Sequence, residues 1–340
     1  MKVAHVMAGA EQGGAELFYE RLVAACAAAG DEVLPVIRGE PGRAARLAYL
    51  SPVQLPFGGL LDLRTRPVLG ATLRRFDPAV VVAWMGRAAR FAPRGRWVLA
   101  GRLGGTYDLG RFRRCDHLIA NTAGLVRWIC GQGWPAARVH HLPNFVPDLA
   151  GTAPATPGLP RPWVLAMGRL HRNKAFDVLV RAMRRLSGIH LLLAGEGPER
   201  SALESLARAE GVAHRVHMPG WRADGAALLA ACDAVAVPSR HEPLGNVVVE
   251  GWSAGKPVVA ADAAGPRELI QPGEDGLLVP REDPEALATA IGLVIEAPAF
   301  ARRLGDAGRA RWAAEFAPGT VIGQWRAGLA GMVTTAGVLA

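Results

Sequence analysis

Glu242-Pro243-Leu244-Gly245-Asn246-Val247-Val248-Val249-Glu250 is the stretch that decides how this chain reads. It sets two carboxylates eight positions apart, with a Gly-containing turn after the first and a helical run before the second. Apolar, strand-like stretches flank it at 233–239 and 257–261. Strand, loop, helix, strand is the repeat of a parallel α/β sheet, whose ligands gather on the loops at the strand carboxyl ends. A helix opening at Leu244, Gly245 and Asn246 aims free N–H groups and its positive dipole end at an anion, most often a phosphate. Glu250 then lies one to two turns into the helix, placed for a hydroxyl beside that phosphate.

Upstream, Trp163-Val164-Leu165-Ala166-Met167-Gly168-Arg169-Leu170 reads as a strand ending at Gly168, with Lys174 and Asp177 a few residues beyond it. Arg169 and Lys174 put two cations on one loop, enough to clamp a diphosphate, the Arg bidentately. A third strand ends in Ala194-Gly195-Glu196-Gly197-Pro198-Glu199, where Gly195 and Gly197 permit close backbone approach. Met218-Pro219-Gly220-Trp221 offers an indole either to a ligand base or to ordinary packing. Near the start, Gly13-Gly14-Ala15-Glu16 follows the first strand and opens a helix. Residues 9–14 do not fit the G-x-G-x-x-G of a dinucleotide fingerprint.

The Glu242 to Glu250 run, followed by Ala254-Gly255-Lys256-Pro257-Val258-Val259-Ala260, resembles the E-x7-E signature of family 4 glycosyltransferases. These are retaining, nucleotide-sugar-dependent enzymes of GT-B fold. The resemblance implies that Arg169 and Lys174 contact the donor pyrophosphate, Glu242 the donor sugar and Glu250 the ribose hydroxyls. It places Gly13, Gly14, Gly168, Gly195, Gly197, Trp221, His241, Leu244, Gly245 and Asn246 around the donor. Two departures stand out: Ala175 replaces a usual Gly, and residues 102–108 lack the His that many members carry beside the sugar. Asp108 either takes a related acceptor-side role or only starts a helix. Arg113 to Thr122, with Glu242 to Asn246, resemble bacterial members that build lipopolysaccharide core or other surface glycans.

The expected architecture is α/β: two Rossmann-like, doubly wound parallel-sheet domains facing a cleft. The first spans 1–150 and the second 160–317; the resemblance implies that they bind acceptor and donor respectively and that a helix at 318–335 crosses back to the first. A chain of 340 residues suits two such cores. Strand patterns fall at Lys2–Met7, 32–37, 79–84, 97–103, 116–121 and 139–143, then at 163–168, 189–195, 216–219, 234–239, 257–261 and 276–279. Residues 148–162, rich in Pro, Ala, Gly and Thr without periodicity, read as a linker.

Residues 1–150 hold 19 Lys and Arg against 11 Asp and Glu, a net of +8; residues 151–340 are nearly balanced at +1. A basic first half suits an anionic partner. The mix of Leu, Phe, Trp and Arg at 57–76 and 91–97 suits peripheral contact with an anionic inner membrane, and no nucleic-acid-binding motif accompanies it. Scattered Cys26, Cys115, Cys130 and Cys232 read as thiols of a reducing cytosol, and no signal or membrane-spanning run is apparent. No cofactor or metal is expected, for no Asp-x-Asp element occurs and cations can hold the leaving diphosphate.

The sequence therefore predicts sugar transfer from a UDP- or GDP-sugar to a hydroxyl of a glycan or lipid-linked acceptor. A nucleotide-sugar epimerase of the same fold and a non-catalytic basic nucleic-acid- or membrane-binding protein are the alternatives. A glycosidase pair is disfavoured, since eight helical residues rise about 12 Å while hydrolytic carboxyl pairs sit roughly 5–9.5 Å apart.

Overall fold

A computed structural model describes residues 1–9, 13–59 and 62–338. Residues 10–12 and 60–61, which fall within the stretches 9–14 and 57–76, lie outside the described residues. The chain divides into two compact units: Met1–Phe145 with Pro318–Ala340, and Val146–Ala317.

The first unit carries β1 (Lys2–Met7), β2 (Glu32–Arg38), β3 (Val53–Leu55), β4 (Val80–Trp84), β5 (Val98–Leu103), β6 (His117–Ala120) and β7 (Val139–His141). They form one sheet in the order β3-β2-β1-β4-β5-β6-β7, and every ladder is parallel. The second unit carries β8 (Trp163–Met167), β9 (His190–Ala194), β10 (Val216–Gly220), β11 (Ala234–Val237), β12 (Val258–Ala261) and β13 (Leu277–Val279). Their order is β10-β9-β8-β11-β12-β13, again with all ladders parallel. Central strands buried on both faces must be apolar throughout rather than alternating; β4 (VVVAW) and β11 (AVAV) are wholly buried. Each order reverses once, between β1 and β4 and between β8 and β11. Those are the topological switch points where doubly wound sheets leave a crevice.

Three features escape the sequence pattern. The edge strand β3 is three residues long, too short for periodicity to show. The helix Met85–Phe91 (MGRAARF) has a Gly- and Arg-rich sequence, and packing of Ala88, Ala89 and Phe91 holds it. Residues 148–162 are not a free linker. Leu149, Ala155 and Leu159 pack on the second unit's core, the Leu149 amide donates to Ser253 Oγ at 3.0 Å, and Asp148 pairs with Arg309 at 2.8 Å. The passages between units lie instead at Phe145–Val146 and Ala317–Pro318. Spaced Pro and Gly marked the segment as irregular, and irregular chain packs as well as regular chain when its few apolar side chains find a core.

The C-terminal helix Pro318–Val338 belongs to the first unit. Its Trp325 is fully buried and stacks on Trp84, with ring centroids 6.1 Å apart and planes 4° from parallel. Phe18 and Phe145 complete the cluster. Among the described residues no single helix is long and apolar enough to cross a membrane. Cys26, Cys115 and Cys232 are buried free thiols, and Cys130 is a half-buried one.

His5 sits beneath this cluster, fully buried on β1. Trp84 Nε1 donates to His5 Nδ1 at 3.3 Å, so the neutral ring carries its proton on Nε2, which has no partner. Burial, opposed only by the charge of Asp31, lowers the His5 pKa to about 4. On acidification the unfolded chain therefore takes up this proton first. The stabilising contribution is full above pH 6.5 and is lost as pH falls through the window down to 4. The full loss is about 3 kcal/mol at ~1.4 kcal/mol per unit. Denaturant titrations at pH 7 and 4 should show a drop that His5→Phe reduces by that order; an unchanged drop would remove His5 as its source.

Candidate active site

The second unit's switch point gathers most of the residues singled out from sequence. After β8 the chain runs Gly168, Arg169, Leu170 to a short turn, Arg172–Lys174; after β11 it runs Ser239, Arg240, His241, Glu242 to the helix Asn246–Ser253. Lys174 Nζ meets Glu242 Oε2 at 2.5 Å, directly across the two loops. Glu242 is buried, and its carboxylate also accepts from Ser239 Oγ and from the Gly245 amide, each at 3.3 Å. Lys174 is half-buried and Arg169 exposed, so one cation is held by the site while the other faces solvent.

Backbone geometry fixes these loops. Gly245, the helix N-cap, sits at φ +87, a conformation that L side chains rarely adopt. Gly265 donates to Glu242 O at 2.7 Å, and a Cβ there would stand 2.5 Å from the Leu244 carbonyl. A Cβ on Gly195 would fall 1.9 Å from Gly168 O, and one on Gly197 2.3 Å from Leu170 O, so the loops after β8 and β9 touch backbone to backbone. Lys174 Cε passes 3.4 Å from where a Gly168 Cβ would be. The glycines thus serve close packing of loop on loop, and they leave the Asn246–Ser253 helix opening beside the Lys174–Glu242 pair. Glu250 lies in that helix, half-buried, just over one turn from its start.

Ala175 keeps the turn that a Gly would make, in the left-handed conformation at φ 53 and ψ 35. Its strain of about 1–2 kcal/mol is opposed by a buried methyl worth ~0.8 kcal/mol and by reduced freedom of the unfolded chain, about 0.4–1 kcal/mol. Ala175→Gly should therefore change stability by less than about 1 kcal/mol, measured by denaturant titration. A loss above 2 kcal/mol would mean the methyl fills space that nothing else can.

Some participants were not legible in the motifs. Ser239 touches Glu242, and its only sequence signal was its place at a strand end. Arg240 grips Asp177 with two hydrogen bonds of 2.7 Å each and also pairs with Glu282. Burial opposes ionisation of Asp177, but hydrogen bonds from Arg240 and Arg181 outweigh it and lower its pKa. The hydrogen bond to Asp177 chiefly raises that of Arg240. This brace ties the loop after β11 to the helix Phe176–Ala182. His241 is exposed, and its amide donates to Asn173 O at 3.1 Å. Trp221 is 65% exposed, just after β10, so it is no core tryptophan.

Gly13, Gly14 and Asp108 lie in the first unit. Gly13 caps the helix Gly14–Ala28 without a side-chain hydrogen bond, and the Glu16 carboxylate fills the space over it, 2.8 Å from a would-be Cβ. Asp108 accepts from the Gly110 amide at 2.9 Å and starts the short turn Leu109–Phe112. In the neighbouring segment Arg102 is fully buried, bonded to Asn144 Oδ1 at 2.6 Å and lying over Trp84 and Phe18. Among the described residues no group of three or more His, Cys, Asp or Glu could hold a metal ion.

Comparison with known proteins bears on the family and the fold. Residues 161–297 match the family model described as glycosyl transferases group 1. The chain is 33% identical, over 93% of its length and 95% of the relative's, to the lipopolysaccharide core biosynthesis glycosyltransferase LpsE of Rhizobium meliloti (strain 1021). It is 34% identical to LpsD of the same strain, which bears the same description, over 91% and 92%. In three dimensions it superposes on Anabaena Alr3699/HepE, crystallised in complex with UDP, with a TM-score of 0.83, 23% identity and coverage of 97% and 100%.

Proposed function

Because this chain belongs to the group 1 glycosyltransferases, with the GT-B fold, we propose that its second unit holds a nucleoside diphosphate sugar at the β8/β11 switch point. The sugar passes to a hydroxyl of a glycan or lipid-linked acceptor, with retention at the anomeric carbon. The observation that carries this reading is the Lys174–Glu242 pair beside the opening of the Asn246–Ser253 helix. A preformed cation and aligned N–H groups are what a departing diphosphate needs, and such electrostatic preorganisation is usually the largest catalytic contribution.

In this mechanism Lys174 and Arg169 neutralise charge as it builds on the leaving diphosphate. The amides at Leu244, Gly245 and Asn246 add their dipoles. Glu242 exchanges the Gly245 amide for hydroxyls of the donor sugar, and Glu250 takes the ribose hydroxyls. Trp221 stacks on the base. The chain's own residues account for the charge without a metal or cofactor. The relatives' described role supports an acceptor in lipopolysaccharide core assembly. UDP in the Anabaena neighbour makes it the first nucleotide to try.

Thermal unfolding with millimolar UDP, GDP, ADP, CMP and NAD tests the donor site. A ligand at 100 times its Kd stabilises the fold by about 2.7 kcal/mol. One nucleoside diphosphate should raise the Tm, and Glu250→Ala should abolish the rise. Proton NMR of the product should show the donor's anomeric configuration conserved. No Tm rise with any diphosphate refutes the donor site, and an epimerised nucleotide sugar formed without acceptor replaces transfer by epimerisation.

A further inference from the structure

We propose that an arginine-lined groove in the first unit binds an acidic saccharide portion of the acceptor, carrying phosphate or carboxylate groups; this rests on the proposed acceptor and deepens that reading. The groove encloses about 980 Å³ and is built from the segments that follow β3, β4 and β5. Arg66, Arg87, Arg90, Arg111, Arg113 and Arg114 line it. Its two carboxylates are already engaged. Asp62 accepts from the Gly58 amide at 2.7 Å, the Thr65 amide at 2.9 Å and the Thr65 hydroxyl at 2.5 Å. Asp108 caps its own turn and reaches Arg111 at only 3.7 Å.

Arg87, Arg90, Arg113 and Arg114 have no ion-pair partner among the described residues. Carboxylates do neutralise other arginines of the unit: Arg43 and Arg46 share Glu20, and Arg326 pairs with Asp31. Uncompensated like charges facing one concavity repel each other and raise the local potential, which an anion relieves. The floor is shaped for this. Gly86 is buried, and a Cβ there would stand 2.8 Å from Arg111 Cδ, so a side chain at this position would push Arg111 from its place along the groove. Guanidinium forks grip phosphate and carboxylate bidentately. The volume is at the upper end for a small-ligand site, which suits several sugars better than one ion. Concavity favours a ligand that enters over a flat membrane surface.

The test uses the full chain, with myo-inositol hexakisphosphate as a polyanionic carbohydrate probe and phosphatidylcholine vesicles holding one-quarter phosphatidylglycerol as the lipid arm. Arg87→Gln, Arg90→Gln and Arg114→Gln are combined. The hexakisphosphate should bind the native chain, more weakly as salt rises, with Kd at least tenfold higher in the triple variant. In transfer assays it should raise the acceptor KM competitively and leave the donor KM unchanged. Equal binding by both chains, or inhibition not competitive with acceptor, overturns the proposal. So does vesicle binding that the triple variant loses while its hexakisphosphate affinity is kept, since the arginines then serve a membrane surface. UDP stabilisation is read in the same samples: its absence rejects the donor site, whereas arginine-dependent hexakisphosphate binding reports on the groove alone.

Discussion

Lys174→Met should lower kcat/KM for sugar transfer by about 10²–10³-fold, the scale seen when one preorganised donor to a developing anion is removed. Lys174 is the cation that Glu242 holds in place, at 2.5 Å, whereas Arg169 is exposed and has its own share of the diphosphate to neutralise. The stability cost should be small by comparison, about 1–3 kcal/mol, because Glu242 keeps the Ser239 hydroxyl and the Gly245 amide. Glu242→Gln should fall by a similar factor while retaining the fold. The two residues share one hydrogen bond, so the double variant should lose much less than the product of the single losses. Steady-state kinetics on the four proteins, with Tm recorded for each, decides the matter. Single variants within tenfold of native activity would reduce the pair to a structural tie.

The largest stability loss is expected at Trp325→Ala. This side chain is fully buried, stacks on Trp84 and donates from Nε1 to Pro143 O at 3.0 Å. Truncating a buried Trp costs about 3–5 kcal/mol through lost burial and the cavity left behind. The orphaned Pro143 carbonyl adds to that unless water reaches it. For a unit of this size 1 kcal/mol moves Tm by roughly 2–4 °C, so the first unit should melt about 6–20 °C lower. Thr335→Ala, exposed on the same helix, should leave the melt unchanged. Circular dichroism melts of the two variants test this. A Trp325→Ala shift below 3 °C would mean that the helix Pro318–Val338 adds little to the first unit.

Much of the arrangement at the β8/β11 switch point was legible in the chain because its chemistry is local. Gly168-Arg169 ends a strand, Glu242 precedes a Gly-opened helix, and Glu250 follows on that helix; each statement concerns a few consecutive residues. The two parallel sheets followed from the same repeat of apolar strand, turn and helix, and the GT-B class from the family resemblance of the motifs. Less legible was anything that joins distant segments. Ser239 and Arg240 sit beside Glu242 in sequence, yet the partner of Arg240 is Asp177, on a helix that begins after β8. The basic first half was visible as composition, but composition does not show which arginines share a groove and which, like Arg102, are buried on a tryptophan.

What the sequence determined by itself was the alternation that makes two parallel sheets, the points where strands end, and the residue types offered there. Those come from backbone propensity and from burial on both sheet faces, which act over a few residues at a time. Tertiary structure alone decided that Lys174 reaches Glu242, that Gly195 lies on Gly168, that Trp325 stacks on Trp84, and that 148–162 is packed chain rather than a linker. Such pairings depend on strand order and on the distance between loop tips. Both are set by how whole elements pack, a balance that no short stretch of residues contains.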